Sequence, residues 1–333
     1  MAHFFSCDWG TTSFRLRLVN AETGRVIEER RATSGVRALS DSAPSGDAAA
    51  RKEVFAEFLR SQLRSIAGAD TNTLGGAVVF ISGMASSSIG WREVPYARLP
   101  FGLDGSDLEQ ACFDLDIDDR CRVRIRLVSG VRAPSDMMRG EETEIIGLFS
   151  DGRHAQIADD GILVLPGTHS KHIRVQQRQI TGFRSYMTGE LFEVLSVHSV
   201  LRSSVQPGDG TTAISLANSD CFKSFTAGVR SASDRGLARN LFQTRVRAVL
   251  ESMPPAVNSW FLSGMLIGTE IADLVELDSN VPILLAAAEP LHAPYRAAFA
   301  ILDLEKQLQV ASADEMAHAS VCCHHLLLRR GTS

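Results

Sequence analysis

The chain has 333 residues, with 34 Lys and Arg against 39 Asp and Glu and a formal charge of −5. This length suits two domains, the 44% hydrophobic and 22% charged shares are those of a globular protein, and the charge balance excludes the basic footprint of a nucleic-acid binder. No apolar run approaches the roughly 18 residues of a membrane helix, the first residues lack a basic leader, and six irregularly spaced cysteines make no disulfide framework, so a cytoplasmic chain with no membrane partner is expected.

The first strand is expected up to Trp9 and the second at Phe14, Leu16 and Leu18, with a third beginning at Val26. Ser40 to Asp47 reads as a loop, and Arg51 to Ala67 as an amphipathic helix carrying Val54, Phe55, Phe58, Leu59, Leu63 and Ile66 on one face. The apolar run Ala77 to Ile81 suits a buried strand. Gly83, Met84, Ala85, Ser87, Trp91 and Tyr96 follow it, on a small-residue loop beyond the carboxyl end of that strand, where α/β sheets hold ligands. That loop is a candidate substrate wall, or else a connection anchored by a packed Trp91.

Arg122 to Val128 alternates charged and apolar residues as a half-exposed strand does, and Gly130 to Ser135 is expected to carry the chain into a second lobe. Glu141 to Phe149 reads as a helix with acids in its first turn, which by itself is explained by the helix dipole. After a strand at Gly161 to Pro166, a helix is expected from Gly189 through Leu195, others at Cys221 to Val229 and Leu237 to Leu250, and a strand at Val281 to Ala286. Between them, Trp260 to Leu277 holds Gly264 and Gly268, read either as helix packing or as a loop beside a nucleotide. The last helix, Asp314 to Arg330, puts His318, Cys322 and His325 on one face; packing explains this with fewer assumptions than a metal.

Two stretches repeat. Gly-Thr-Thr-Ser-Phe-Arg-Leu-Arg-Leu from Gly10 and Gly-Thr-His-Ser-Lys-His-Ile-Arg-Val from Gly167 agree in chemistry at six of nine positions. Each is followed by a segment ending in Ser-Gly or Thr-Gly, at Gly35 and Gly189. A turn of Gly, Thr and Ser presents backbone N–H groups and hydroxyls, which suit phosphate oxygens.

Asp8-Trp9-Gly10-Thr11-Thr12 resembles the first phosphate motif of the sugar kinase, Hsp70 and actin superfamily, and Pro166 to Lys171 its second. Met138 to Thr143 and Phe183 to Phe192 narrow the resemblance to the 2-dehydro-3-deoxygalactonokinase family. It implies an α/β, two-lobed ribonuclease-H-like fold of actin and hexokinase type, with a duplicated phosphate-binding hairpin and an interlobe cleft. The first lobe is then 1–129 joined by helix 314–330, and the second 130–313.

The resemblance also implies phosphorylation of a small 2-keto-3-deoxy sugar acid by ATP with Mg²⁺. Asp8 would orient Mg²⁺ through water, while Gly10, Thr11, Thr12, Gly167, Thr168, Ser170 and Lys171 would hold phosphates, with Gly264, Ala287 and Ala288 on the nucleoside side. The base is Glu141, Glu142 or Asp136. Arg139 is assigned to the substrate carboxylate or the transferring phosphoryl, against an exposed ion pair with its acidic neighbours, and Glu190 to the substrate. The superfamily usually has glycines where this chain has Ala287 and Ala288, so a sugar-acid-binding protein that has lost phosphoryl transfer is the alternative, with a phosphohydrolase third; a homodimer is open.

Overall fold

The computed structural model describes residues 2–44, 46–67, 74–206, 219–232, 236–275 and 281–331. They form two compact units: Met1–Ala155 with Arg178–Thr181 and Ala317–Ser333, and Gln156–Gln177 with Gly182–Met316.

In the first unit β1 (His3–Trp9), β2 (Phe14–Asn20) and β3 (Val26–Ala32) form an antiparallel meander. Two helices follow, α1 (Val36–Ser42) and α2 (Ala48–Ala67), and then β4 (Val78–Gly83), which runs parallel to β1. The short strands β5 (Ala97–Arg98) and β6 (Phe101–Gly102) precede β7 (Gln110–Asp116) and β8 (Arg122–Val128), and the main sheet has the order β3-β2-β1-β4-β8-β7. Its core is built on Trp9, Phe14, Phe55, Leu59, Ile81 and Ile125, the apolar positions that alternation and helical spacing mark. The expected Ser40 to Asp47 loop starts three residues later, because Ser40–Ser42 are the end of α1, which begins where the Val36 and Arg37 N–H groups bond to the carbonyls of Gly10 and Thr11.

β9 (Val131–Arg132) and β10 (Met137–Met138) pair into a small sheet of order β10-β9-β5, and α3 (Glu141–Phe149) follows. Residues 130–155 thus lie within the first unit. A close helix crossing helps hold them there: a Cβ on Gly147 would lie 1.7 Å from the Ala319 carbonyl oxygen. Gly147 supplies the close approach between these two helices.

The second unit repeats the pattern. The short helix α4 (Ala155–Asp159) leads into β11 (Asp160–Leu165), β12 (Ser170–Gln176) and β13 (Gln179–Tyr186). α5 (Thr188–His198), α6 (Ser219–Ser231), α7 (Leu237–Leu250) and α8 (Pro255–Val275) precede β14 (Ile283–Leu285), α9 (His292–Ile301) and β15 (Leu308–Val310), and the last helix, α10 (Ala313–Arg330), belongs to the first unit from Ala317 onward. Its strands run β15-β14-β11-β12-β13, with β11 antiparallel to β12 and parallel to β14, the order that β8-β4-β1-β2-β3 has in the first unit. The duplication seen in two short motifs therefore extends to the topology of both sheets, which is the ribonuclease-H-like arrangement.

Gly264 is in mid-helix, not in a loop. A Cβ there would sit 2.2 Å from the Phe225 carbonyl oxygen, and one on Gly228 would sit 2.2 Å from that of Phe261. These glycines let α6 and α8 touch backbone to backbone, which is the helix-packing reading of Gly264. Residues 276–280, the end of the expected Trp260–Leu277 element and its exit, lie outside the described residues.

Candidate active site

Asp8 is the last residue but one of β1, paired across the sheet with Arg15 on β2 and Ser82 on β4. Beyond it the Gly10 N–H closes the turn on the Ser13 carbonyl, and Thr11, Thr12 and Ser13 are left at the surface. Gly83, with φ of 88°, ends β4 so close to β1 that a Cβ would lie 2.7 Å from the Trp9 carbonyl oxygen. Gly140, with φ of 111°, starts α3 within van der Waals reach of Gly83. A side chain at either position would be strained by its positive φ, and one at Gly83 would also part β4 from β1. Three chain segments thus converge where Asp8 and the first turn of α3 lie.

That convergence concentrates carboxylates. Burial and the nearby Glu141 raise Asp8 above the usual carboxylate range, against the pull of Arg15 and Arg17. Burial, with Asp8 and Glu141 adding to it, lifts Glu144 to about 8. Glu144 was not among the expected site residues; its signal was its spacing, three residues after Glu141 and so on the same helix face. Glu141 is half-buried, and its Oε2 accepts the Arg139 N–H at 2.9 Å.

Glu142 is a different kind of group. It is fully buried, accepts the Gly140 N–H on both oxygens at 2.7 and 2.9 Å, and is lifted by burial and by Glu141 to about 8. It is a staple beneath the start of α3, out of reach of a substrate hydroxyl. Its folded pKa exceeds its unfolded one, so the folded state holds the extra proton, and stability falls as pH rises from about 5 to about 8. Glu142→Gln is expected to flatten that slope by an amount on the order of a few kcal/mol, read from urea midpoints at both ends of the range. An unchanged slope would place the titration elsewhere. Asp136 caps the turn between β9 and β10, its Oδ1 accepting the Met137 N–H at 2.7 Å.

The Arg139 guanidinium is turned onto the loop after β4. Nη1 donates to the Ser86 carbonyl and hydroxyl at 2.7 and 2.6 Å, Nη2 to the Val94 carbonyl at 3.2 Å, and Nε to the Tyr96 hydroxyl at 3.3 Å. The cation also stacks 4.1 Å from the Tyr96 ring centre. It fastens the loop after β4 along its length. On that loop Trp91 is buried against Trp9 and Phe113, Ala85 is buried, and Ser87 donates to the Met84 carbonyl at 2.7 Å, so Trp91 is the packing anchor and not an apolar face for a ligand. Met84 packs against the same core, and Tyr96 is half-buried.

In the second unit the Pro166–His169 turn exposes Thr168 and His169. Ser170 and Lys171 behave otherwise than expected: both are buried, Ser170 bonding to the Tyr295 hydroxyl at 2.9 Å and Lys171 Nζ donating to the His169 carbonyl at 3.0 Å. They hold the turn from beneath. Glu190 sits beside the turn, paired with the His169 ring at 2.5 Å, while its N–H bonds to the Thr168 carbonyl at 3.0 Å. Gly189 presses on the turn, and a Cβ there would be 2.6 Å from the Gly167 oxygen. Gly35 does the same to the first turn, where a Cβ would be 2.4 Å from the Thr11 oxygen. The repeat is thus a strand, a polar turn, two further strands, and a glycine that braces the turn from the head of a helix.

After β14, Ala287 is buried in the core of the second unit and Ala288 is exposed, and neither has a positive φ. The strain expected of a Cβ in these places is absent. Among the described residues no three carboxylate, imidazole or thiol side chains converge as a direct metal cage, on the last helix or elsewhere. His325 there bonds to the Ala21 carbonyl at 2.9 Å.

The profile of the 2-keto-3-deoxy-galactonokinase family matches residues 8–322. A probable 2-dehydro-3-deoxygalactonokinase of Rhizobium meliloti (strain 1021) is 30% identical over 96% of this chain and 95% of its own length. The 2-dehydro-3-deoxygalactonokinase of Escherichia coli (strain K12) is 29% identical over 90% of this chain and 89% of its own. A crystal structure of a Sinorhizobium meliloti protein ascribed the same activity superposes with a TM-score of 0.76 at 28% identity, covering 99% of both chains.

Proposed function

Because the chain belongs to the 2-keto-3-deoxy-galactonokinase family, we propose that it transfers the terminal phosphoryl group of ATP to the terminal hydroxyl of 2-dehydro-3-deoxy-D-galactonate, giving the 6-phosphate. The observation that supports this best is the glycine-braced polar turn, present once in each unit, with Asp8, Glu141 and Glu144 gathered beside the first. Hydroxyls and backbone N–H groups of Thr11 and Thr12, and of Thr168, take phosphate oxygens, while the N–H groups of Gly10 and Gly167 are bonded within their own turns. Glu141 accepts the proton of the attacking hydroxyl as the phosphoryl group moves in line. Tyr96, on the loop fixed by Arg139, offers a hydroxyl to the sugar acid.

A magnesium ion fits the donor chemistry here, since hard oxygen ligands suit it and the mutual repulsion of Asp8 and Glu141 is relieved by a cation. Asp8 would hold it through water, and it would neutralise charge on the transferring phosphates. Glu144, protonated below about pH 8, keeps the local charge from rising further while Asp8 and Glu141 act. With ordinary backbone at Ala287 and Ala288, nothing favours the binding-protein reading over the kinase.

The direct test is product formation from MgATP and a panel of 2-keto-3-deoxy sugar acids, with Asp8→Ala as control. Turnover of the galactonate-derived acid, lost in the control, is expected. ATP hydrolysis with no phosphorylated acid would replace the kinase by a phosphohydrolase.

A further inference from the structure

Helix α8 is apolar along its buried face except at Asn258 in its first turn and at Glu270, which is 2% exposed. A buried carboxylate costs several kcal/mol unless its oxygens are bonded, and a leucine there would pack without that cost. Glu270 is fully engaged. Its Oε1 bonds to the His172 ring at 3.0 Å, and its Oε2 accepts the hydroxyls of Thr188 and, at 2.7 Å, Tyr295. Those partners come from β12, the head of α5 and α9, and each leads to the same place. Thr188 precedes the Gly189 that presses on the Gly167–Thr168 backbone, and Tyr295 bonds to Ser170 at the end of that turn.

The carboxylate also dictates direction along this chain. It only accepts, so Tyr295 gives it the single hydrogen of its hydroxyl and has just an acceptor left for Ser170. Ser170 then donates to Tyr295, and its lone pairs face the Gly167 N–H at 3.4 Å. With both hydroxyl hydrogens oriented inward, Ser170 is a fixed acceptor that draws the Gly167 amide down and leaves the amides of Thr168 and His169 at the surface.

Resting on the reading that this turn receives ATP phosphates, we propose that Glu270 is a positioning residue for nucleotide binding, which through Tyr295, Ser170 and Thr188 holds the Gly167–Ser170 turn in its phosphate-accepting form. A residue of merely structural value would change stability and all kinetic constants together. Glu270 acts on one ligand only.

The test measures, on the full chain, the Kd for MgATP by calorimetry, the KM for the sugar acid and the melting temperature, for Glu270→Leu, Glu270→Gln, Tyr295→Phe and Gly189→Ala. Glu270→Leu and Tyr295→Phe are expected to weaken ATP about tenfold and leave the sugar-acid KM within about twofold, because each removes a bond that orients the turn. Glu270→Gln is expected to stay within about threefold of the parent, since its Oε1 still accepts both hydroxyls and its amide can donate to a His172 tautomer protonated at Nδ1. ATP affinity unchanged in well-folded Glu270→Leu and Tyr295→Phe, but lowered by Gly189→Ala, would overturn the proposal and keep the turn as a phosphate site. If Glu270→Leu does not fold, Tyr295→Phe, with its equal volume, decides alone. No effect of any variant on ATP would remove the turn from the nucleotide site, and the proposal with it.

Discussion

Glu141→Gln is expected to lower kcat by about 10²–10⁴-fold while the Kd of the sugar acid changes by less than about threefold, the mark of a lost general base. The choice of Glu141 over its neighbours rests on position. Glu142 is sealed beneath α3 with both oxygens on one backbone amide, and Asp136 is bonded into a turn at the edge of a small sheet. Glu141 is half-buried on the face that Asp8 and Glu144 share. The amide keeps a carbonyl oxygen for the Arg139 N–H, so the start of α3 survives the change and only the proton acceptor is lost. Rapid-quench measurement of a single turnover separates chemistry from product release. Should Glu144→Gln abolish the phosphoryl-transfer step and Glu141→Gln leave it intact, the base would be Glu144, and its pKa of about 8 would then appear as a rise of kcat through that pH.

Much of this was legible in the chain, and what was not has a physical cause. Alternating or helically spaced apolar residues mark a strand or a helix because they must face a core, so β1, β2, β8 and α2 were plain. The two-residue strands β5, β6, β9 and β10 are too short to carry a period, and went unread. Motif spacing located Asp8, both turns and Glu141. It could not tell which residues of a motif face outward: Ser170 and Lys171 belong to the second turn in sequence but lie beneath it, and Arg139 sits beside the acids yet directs its donors to Ser86, Val94 and Tyr96. Contacts between residues distant in sequence left the least trace. Tyr295 and Glu270 are 125 and 100 residues away from the serine they help to orient, and the one hint was an acid within an apolar helix.

Gly35→Ala and Gly189→Ala are expected to lower kcat/KM for ATP by about 10²-fold each, with a fall in melting temperature as well. The conformational cost of the added methyl is small, because Gly35 has φ of −71° and Gly189 lies in the first turn of α5, where alanine is the better helix former by about 1 kcal/mol. The obstacle is steric. At Gly35 the Cβ would meet the Thr11 oxygen and the Thr12 Cα and carbonyl carbon, each at 2.4 Å; at Gly189 it would meet the Gly167 oxygen at 2.6 Å and the Thr168 Cα at 2.9 Å. These are backbone atoms with no rotamer to turn away, so each turn must move by about 1 Å, and a displacement of that size at groups that position phosphates costs about two orders of magnitude in rate. Gly182→Ala is the control, since nothing lies within 4 Å of a Cβ there, and its kinetics should match the parent. Losses at both turns with Gly182→Ala silent would tie phosphate handling to each copy of the repeat. A loss at Gly35 alone would leave the second turn as scaffold, and would assign the nucleotide's phosphates to Thr11 and Thr12.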